Sequence, residues 1–348
     1  MVFNAFRRAL ALGGVALVAT GGVAFVRQAP AAPLTRPAVV RAAADPVVAH
    51  TVSAPAPAPK ATPRPDVVAR TVSAARARAT ISLYEHTVRR ATLLDQGCDA
   101  AKRGVGGVVI LDFGQPAYNG HTYGTYLFSG AFAGNAEITR AMYAYAVGYR
   151  HCLSKGSKLS ISLARGTSNY HPQVPSAYQA GRRWARETRR LQEQLKAHGL
   201  DRHVTSAAAD DVEPAWDRTF HRTRDFFRGY RDAGANHVLY NFGSLDGGVG
   251  SIWNARQIFF VASGMKYVAA IPEIYNSAMA EQWAELAHIA KHRYNRPLKF
   301  AGVMTTHTSR NHAVKPRDAH KMLVRALANV GTELASVPPT LTNIRAAE

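Results

Sequence analysis

Val204–Trp216 reads VTSAAADDVEPAW. Val204 and Thr205 open it as a strand, and the small residues that follow suit a crowded interior. Three carboxylates then fall within four residues, Asp210, Asp211 and Glu213, and Pro214 stops the strand. Side chains alternate along a strand, so Asp211 and Glu213 are expected on one face and Asp210 on the other. Like charges at that spacing repel and raise one pKa, which lets a site keep one acid protonated and another ionised near neutral pH. The plainer reading of the same residues is a solvated strand end with an Asx turn that caps the next helix.

The pattern of strand, polar end and amphipathic helix extends outwards from this stretch. Val108–Gly114 precedes a helical pattern over Glu137–Leu153, and Leu159–Gly166 precedes Ser176–His198. Val204–Pro214 precedes Thr219–Ala233, and His237–Ser244 precedes Ser251–Ala262. Tyr267–Tyr275 precedes Ser277–Tyr294, and Phe300–Thr306 precedes Lys315–Val330. Six such units in series predict parallel strands with helical crossovers. No GxGxxG follows the first of these strands, which argues against an open nucleotide-binding sheet. The expected fold is α/β, a TIM-type (β/α) barrel, regular or incomplete, spanning 81–348. A helix over about Ile81–Leu94 is expected to precede it. The strand ends are polar: Asp112, Arg165 with Thr167 and Asn169, Asp211 with Glu213, Tyr240 with Asn241, Glu273 with Tyr275 and Asn276, Thr305 with Thr306. In a barrel all of these converge on one face, where such enzymes place their chemistry.

The start of the chain bears on compartment. Arg7 and Arg8 precede an uncharged, mostly apolar run, Ala9–Val26, and Ala29-Pro30-Ala31 supplies small residues for cleavage. Residues 1–31 therefore read as a secretory signal peptide or, if uncleaved, a membrane anchor. Residues 32–80 are dominated by Ala, Pro, Val and Arg and read as a disordered tether. In an oxidising compartment the two cysteines, Cys98 and Cys152, are expected to pair.

The formal net charge is +20. Arg182, Arg183, Arg186, Arg189 and Arg190 form its densest patch, on a helical segment. This is either a solvated outer face or an attraction for a polyanion. For an exported protein that polyanion is an anionic cell-wall polymer or a lipid head group. No nucleic-acid motif is present, and nucleic acid is not an expected partner. Membrane contact is expected only through the N-terminal segment. His121, His171 and His307 are scattered, no zinc spacing occurs, and neither metal nor cofactor is expected.

Two motifs, ILDFGQP at 110–116 and AADDVEP at 208–214, carry a resemblance. Together they resemble the glycoside hydrolase-like barrels of bacterial cell-envelope proteins, including the family 25 muramidases and related actinobacterial barrels. Those families carry an Asp at the end of the first strand and a D-x-E motif at the end of a middle strand. Asp112 matches the former, and Asp211-Val212-Glu213 the latter. The resemblance implies a barrel acting on cell-wall polysaccharide, over roughly Gly106–Val330. The chain departs from the pattern after Asp112, where FGQPAYNGHTYGTYLFSG (113–130) is long and rich in Gly and Tyr.

Cleaving a glycosidic bond needs a proton donor for the leaving oxygen and a negative group for the developing oxocarbenium ion. Glu213 is the expected donor, with Asp211 and Asp112 lining the same cleft. Glu273 is the competing second carboxylate. Tyr240, Asn241, Tyr275 and Trp216 are the expected substrate contacts, and Tyr118 and Tyr123 are further aromatics able to stack on sugar rings. Three classes stay open: an exported glycoside hydrolase, a catalytically silent glycan-binding or envelope-anchored barrel, and a metal-dependent hydrolase using Asp112, Asp211 and Glu213 as ligands.

Overall fold

The computed structural model describes residues 79–234, 236–308, 313–332, 337–338 and 340–347. The expected export segment, 1–31, and nearly all of the expected tether lie outside the described residues.

Eight parallel strands form the frame. In chain order they are β1 (Thr80–Tyr84), β2 (Gly107–Asp112), β6 (Ile161–Ser168), β7 (Val204–Asp211), β8 (Leu239–Asn241), β9 (Val268–Ala270), β10 (Val303–Thr305) and β11 (Leu341–Ala346). Each pairs with the next, and β11 returns to pair with β1. Between β9 and β10 the ring is closed by bridges rather than a continuous ladder. The Ala270 N–H donates to the Lys299 carbonyl at 2.8 Å, and the Ile274 N–H to the Met304 carbonyl at 2.9 Å. The result is the expected α/β TIM-type barrel, almost closed.

Seven helices are described outside the strands: α1 (Arg90–Lys102), α2 (Asn135–Cys152), α3 (Ala177–Ala197), α4 (His221–Asp232), α5 (Ala255–Ser263), α6 (Ser277–Tyr294) and α7 (Pro316–Asn329). Ser176 caps α3, its Oγ accepting from the Gln179 N–H at 3.2 Å. Asn135 does not cap α2. It opens the helix, and its Oδ1 accepts from the buried Arg165 guanidinium at 2.7 Å. None of the helices among the described residues is long and apolar enough to cross a membrane.

Two expectations are corrected. The helix expected over about Ile81–Leu94 is two elements, strand β1 and then α1, so Asp112 closes the second barrel strand rather than the first. The acid directly after the first strand is Glu85. The eighth strand, β11, lay unread beyond Val330. The loop after Asp112 is ordered as a small antiparallel sheet of β3 (Gln115–Tyr118), β4 (Tyr123–Tyr126) and β5 (Phe132–Gly134). Gly124 permits it: a Cβ there would lie 1.9 Å from the Ala133 carbonyl oxygen.

Side chains of the strands and the residues that directly follow them make one core inside the ring, with Val108, Ile110, Ala164, Ala207, Ala209 and Phe242 among them. The alternate residues, Val109, Leu111, Leu163 and Ala208, pack outwards into two cores shared with the helices. α1 and α2 cross backbone to backbone. A Cβ on Gly97 would lie 2.0 Å from the Tyr145 carbonyl oxygen, and one on Gly148 lies 1.9 Å from that of Leu94. The expected disulfide, Cys98–Cys152, ties this pair together.

Candidate active site

Strand alternation decides which acids enter the barrel. Val108, Ile110 and Asp112 are alternate residues of β2, as Ala207, Ala209 and Asp211 are of β7. Asp112 and Asp211 thus continue the interior rows at the C-terminal mouth, and Asp210 faces the other way. Both interior acids are buried, Asp112 at 0% and Asp211 at 6% exposure, as is Glu273 at 3%. Glu213, two residues beyond the end of β7, is half-buried.

Gly166 makes room for Asp112. It is the cross-strand partner of Asp112, and a Cβ there would lie 2.7 Å from the Asp112 Cα. The Gly114 N–H donates to Asp112 Oδ1 at 2.9 Å, while Oδ2 is buried without a partner. Asn169 fixes Glu213. Its Oδ1 accepts from the Glu213 N–H at 2.9 Å, and its Nδ2 donates to the Glu213 carbonyl at 3.0 Å and to Thr223 Oγ1 at 3.1 Å. Asp217 in turn holds Thr223 by both its N–H and its hydroxyl, at 2.9 and 3.0 Å.

The acids act on one another. Burial raises Asp211 well above the carboxylate range, and the charges of Glu273 and Glu213 push it further. Burial and then Glu213 raise Glu273, against a smaller opposite pull from the Tyr275 hydroxyl beside it. Burial pushes Asp112 up to about 7, with the Gly114 N–H pulling the other way. The Tyr84 hydroxyl is raised first by burial and then by Glu273, Asp211, Asp112 and Glu213, so it stands among all four.

The structure therefore brings together Asp112, Asp211, Glu213, Glu273 and Tyr275. Trp216 follows in the 3₁₀ turn Pro214–Trp216, its ring edge-on to Tyr170 at 5.3 Å. Tyr240 points to the other end of the barrel, its hydroxyl 3.2 Å from Ser162 Oγ near the start of β6. Asn241 folds back on its own loop, Oδ1 accepting from the Gly243 N–H at 3.1 Å. Tyr118 and Tyr123 pack against each other in the small sheet with their rings tilted, 4.9 Å between ring centres. Tyr84, Asn169 and Tyr170 were not singled out as site residues from the sequence, although Asn169 had been noted among the polar strand ends. Among the described residues no three His, Cys, Asp or Glu side chains are grouped to hold a metal ion.

Fold and site together define a TIM-type α/β barrel with a coupled acid cluster at its C-terminal mouth. No family model matches the chain, and no curated protein matches it.

Proposed function

We propose that this barrel is an exported or envelope-associated glycoside hydrolase-like protein acting on cell-wall or related polysaccharide. The observation that carries the reading is the convergence of four acids at the mouth of a barrel, with Glu213 the most accessible and Asp112, Asp211 and Glu273 buried behind it. Glu213 donates the proton to the leaving oxygen. Burial shifts the Asp211 and Asp112 carboxyls towards the neutral form, which donates as well as accepts hydrogen bonds and suits them to orient a sugar substituent. Trp216 and Tyr170 offer aromatic surface to a sugar ring beside Glu213. The exposed Arg183, Arg186 and Arg190 of α3 support attraction to an anionic polymer.

A second reading is a catalytically silent glycan-binding barrel. Its support is the depth of the other three acids, none of which is as accessible as Glu213. Reducing-end release from a panel of wall polysaccharides separates the two readings. Hydrolysis by the wild type that is lost in Glu213→Gln supports the enzyme, and binding without hydrolysis supports the silent barrel.

A further inference from the structure

Unlike the scattered His121, His171 and His307, the residues His288 and His292 stand four apart, in the last two turns of α6. Side chains at that spacing meet on one helix face. Both imidazoles are exposed, with their ring centres 4.3 Å apart and their planes tilted by 42°. They lie away from the acid cluster. In a parallel barrel each helix starts beside the strand ends at the mouth and runs back, so the end of α6 lies at the opposite end of the barrel.

Val330 sets the tautomer of His288. Its carbonyl, at the end of α7, lies 3.0 Å from His288 Nδ1. A carbonyl only accepts, so Nδ1 carries the proton and donates. The lone pair of the neutral ring is therefore on Nε2. One ring nitrogen anchored on a backbone carbonyl and the other left with its lone pair is how a metal-ligating histidine is held. His292 brings a second ring beside it. The surroundings do not suit a hard cation: Lys291 and Arg293 share this last stretch of helix. Among the described residues no third His, Cys, Asp or Glu is grouped with the pair to hold an ion. An ion here depends on imidazole lone pairs, with water in its remaining positions.

We propose that His288 and His292 chelate a divalent transition-metal ion, Cu²⁺ most tightly and Zn²⁺ less so, through one nitrogen of each ring, Nε2 in His288. The ion also bears on the seam between α6 and α7, because the ring that binds it holds the Val330 carbonyl. The site is separate from the acid cluster and does not depend on the glycosidase reading.

Calorimetric titration of the untagged protein with CuCl₂ and ZnCl₂ at neutral pH tests the proposal. Saturable binding is expected, tighter for Cu²⁺ than for Zn²⁺, and an excess of MgCl₂ or CaCl₂ is expected not to displace either ion. His288→Gln and His292→Gln each leave a single ring and are expected to weaken binding by at least about tenfold, because the second nitrogen no longer binds within the same molecule. His151→Gln, at an exposed histidine on α2, is expected to leave the affinity unchanged. Saturating Zn²⁺ is expected to raise the melting temperature of the wild type and not that of His288→Gln or His292→Gln. Both substituted residues are exposed, so both variants are expected to fold, read from an unchanged far-UV spectrum. No saturable binding below millimolar concentration, displacement by Ca²⁺, or an affinity indifferent to either His288→Gln or His292→Gln would overturn the proposal.

Discussion

Asn169 grips the main chain of Glu213 at both ends, accepting from its N–H at 2.9 Å and donating to its carbonyl at 3.0 Å. The two residues come from consecutive barrel loops, so this one carboxamide sets where the accessible acid of the mouth sits. Asn169→Ala takes the acceptor from the Glu213 N–H, while the Glu213 carbonyl keeps the Trp216 N–H at 3.1 Å, and is expected to cost about 1–3 kcal/mol, read from the denaturant midpoint. Asn169→Asp retains the acceptor and, when ionised, loses both donated bonds; protonated at acidic pH it can donate one of them, and there it is expected to fall between the wild type and Asn169→Ala.

Gly166 is the residue on which the position of Asp112 depends. A Cβ there would lie 2.7 Å from the Asp112 Cα and 3.0 Å from Ile110 Cγ2. Neither contact is a flexible side-chain end, so β2 and β6 must separate to admit it. Gly166→Ala is expected to destabilise the barrel by about 2 kcal/mol or more, while Gly156→Ser, with open space around its Cβ position but a positive φ, is expected to cost less. Equal stabilities for the two variants in urea would contradict the packing argument.

The Cys98–Cys152 bond closes a loop of sequence separation 54 between α1 and α2. Chain entropy assigns such a loop about 4 kcal/mol, and strain and residual unfolded structure reduce what is measured. The expected result is an unfolding free energy lower by about 2–4 kcal/mol for Cys98→Ala/Cys152→Ala, read from denaturant unfolding. A thiol assay on denatured, unreduced wild-type protein is expected to find no free thiols.

Buried acids also set the pH response. Asp112 and Glu85 are each raised to about 7, chiefly by burial. In the unfolded chain they ionise near 4. Between those values the native state holds more protons than the unfolded one, so their contribution falls as pH rises from about 4 towards 7 and is lost above it. The wild type is expected to lose stability between pH 5 and pH 8 relative to Asp112→Asn/Glu85→Gln, in which both acids are neutral throughout. Parallel stability curves for the two proteins across that range would show that neither acid is raised.

Much of this architecture was legible because six strands each ended in polar residues and each was followed by an amphipathic helix. Asp112, Asp211, Glu213 and Glu273 were found by that signal alone. β1 was not, because TISLY runs without a Gly or Pro break towards α1, and its apolar residues merged with Leu93 and Leu94 into one helical pattern. With β1 went Tyr84, whose hydroxyl stands among the four acids. β11 is half polar, LTNIRA, and lies after the last readable helix. Tyr240, expected at a strand end as a substrate contact, is the middle residue of β8, and where a long inward side chain ends depends on barrel tilt, which residue spacing does not carry. The Asn169–Glu213 clamp joins positions 44 residues apart and has no local signature.

The most direct test of the account is the turnover of a wall polysaccharide by Glu213→Gln beside the wild type, with glycan binding measured on the same preparations. Gln keeps the shape of Glu213 and removes its proton. The account expects turnover to fall by at least about a hundredfold while binding stays nearly intact. An undiminished rate in Glu213→Gln, or a wild type that binds glycan and never cleaves it, would contradict the assignment of Glu213 as the general acid.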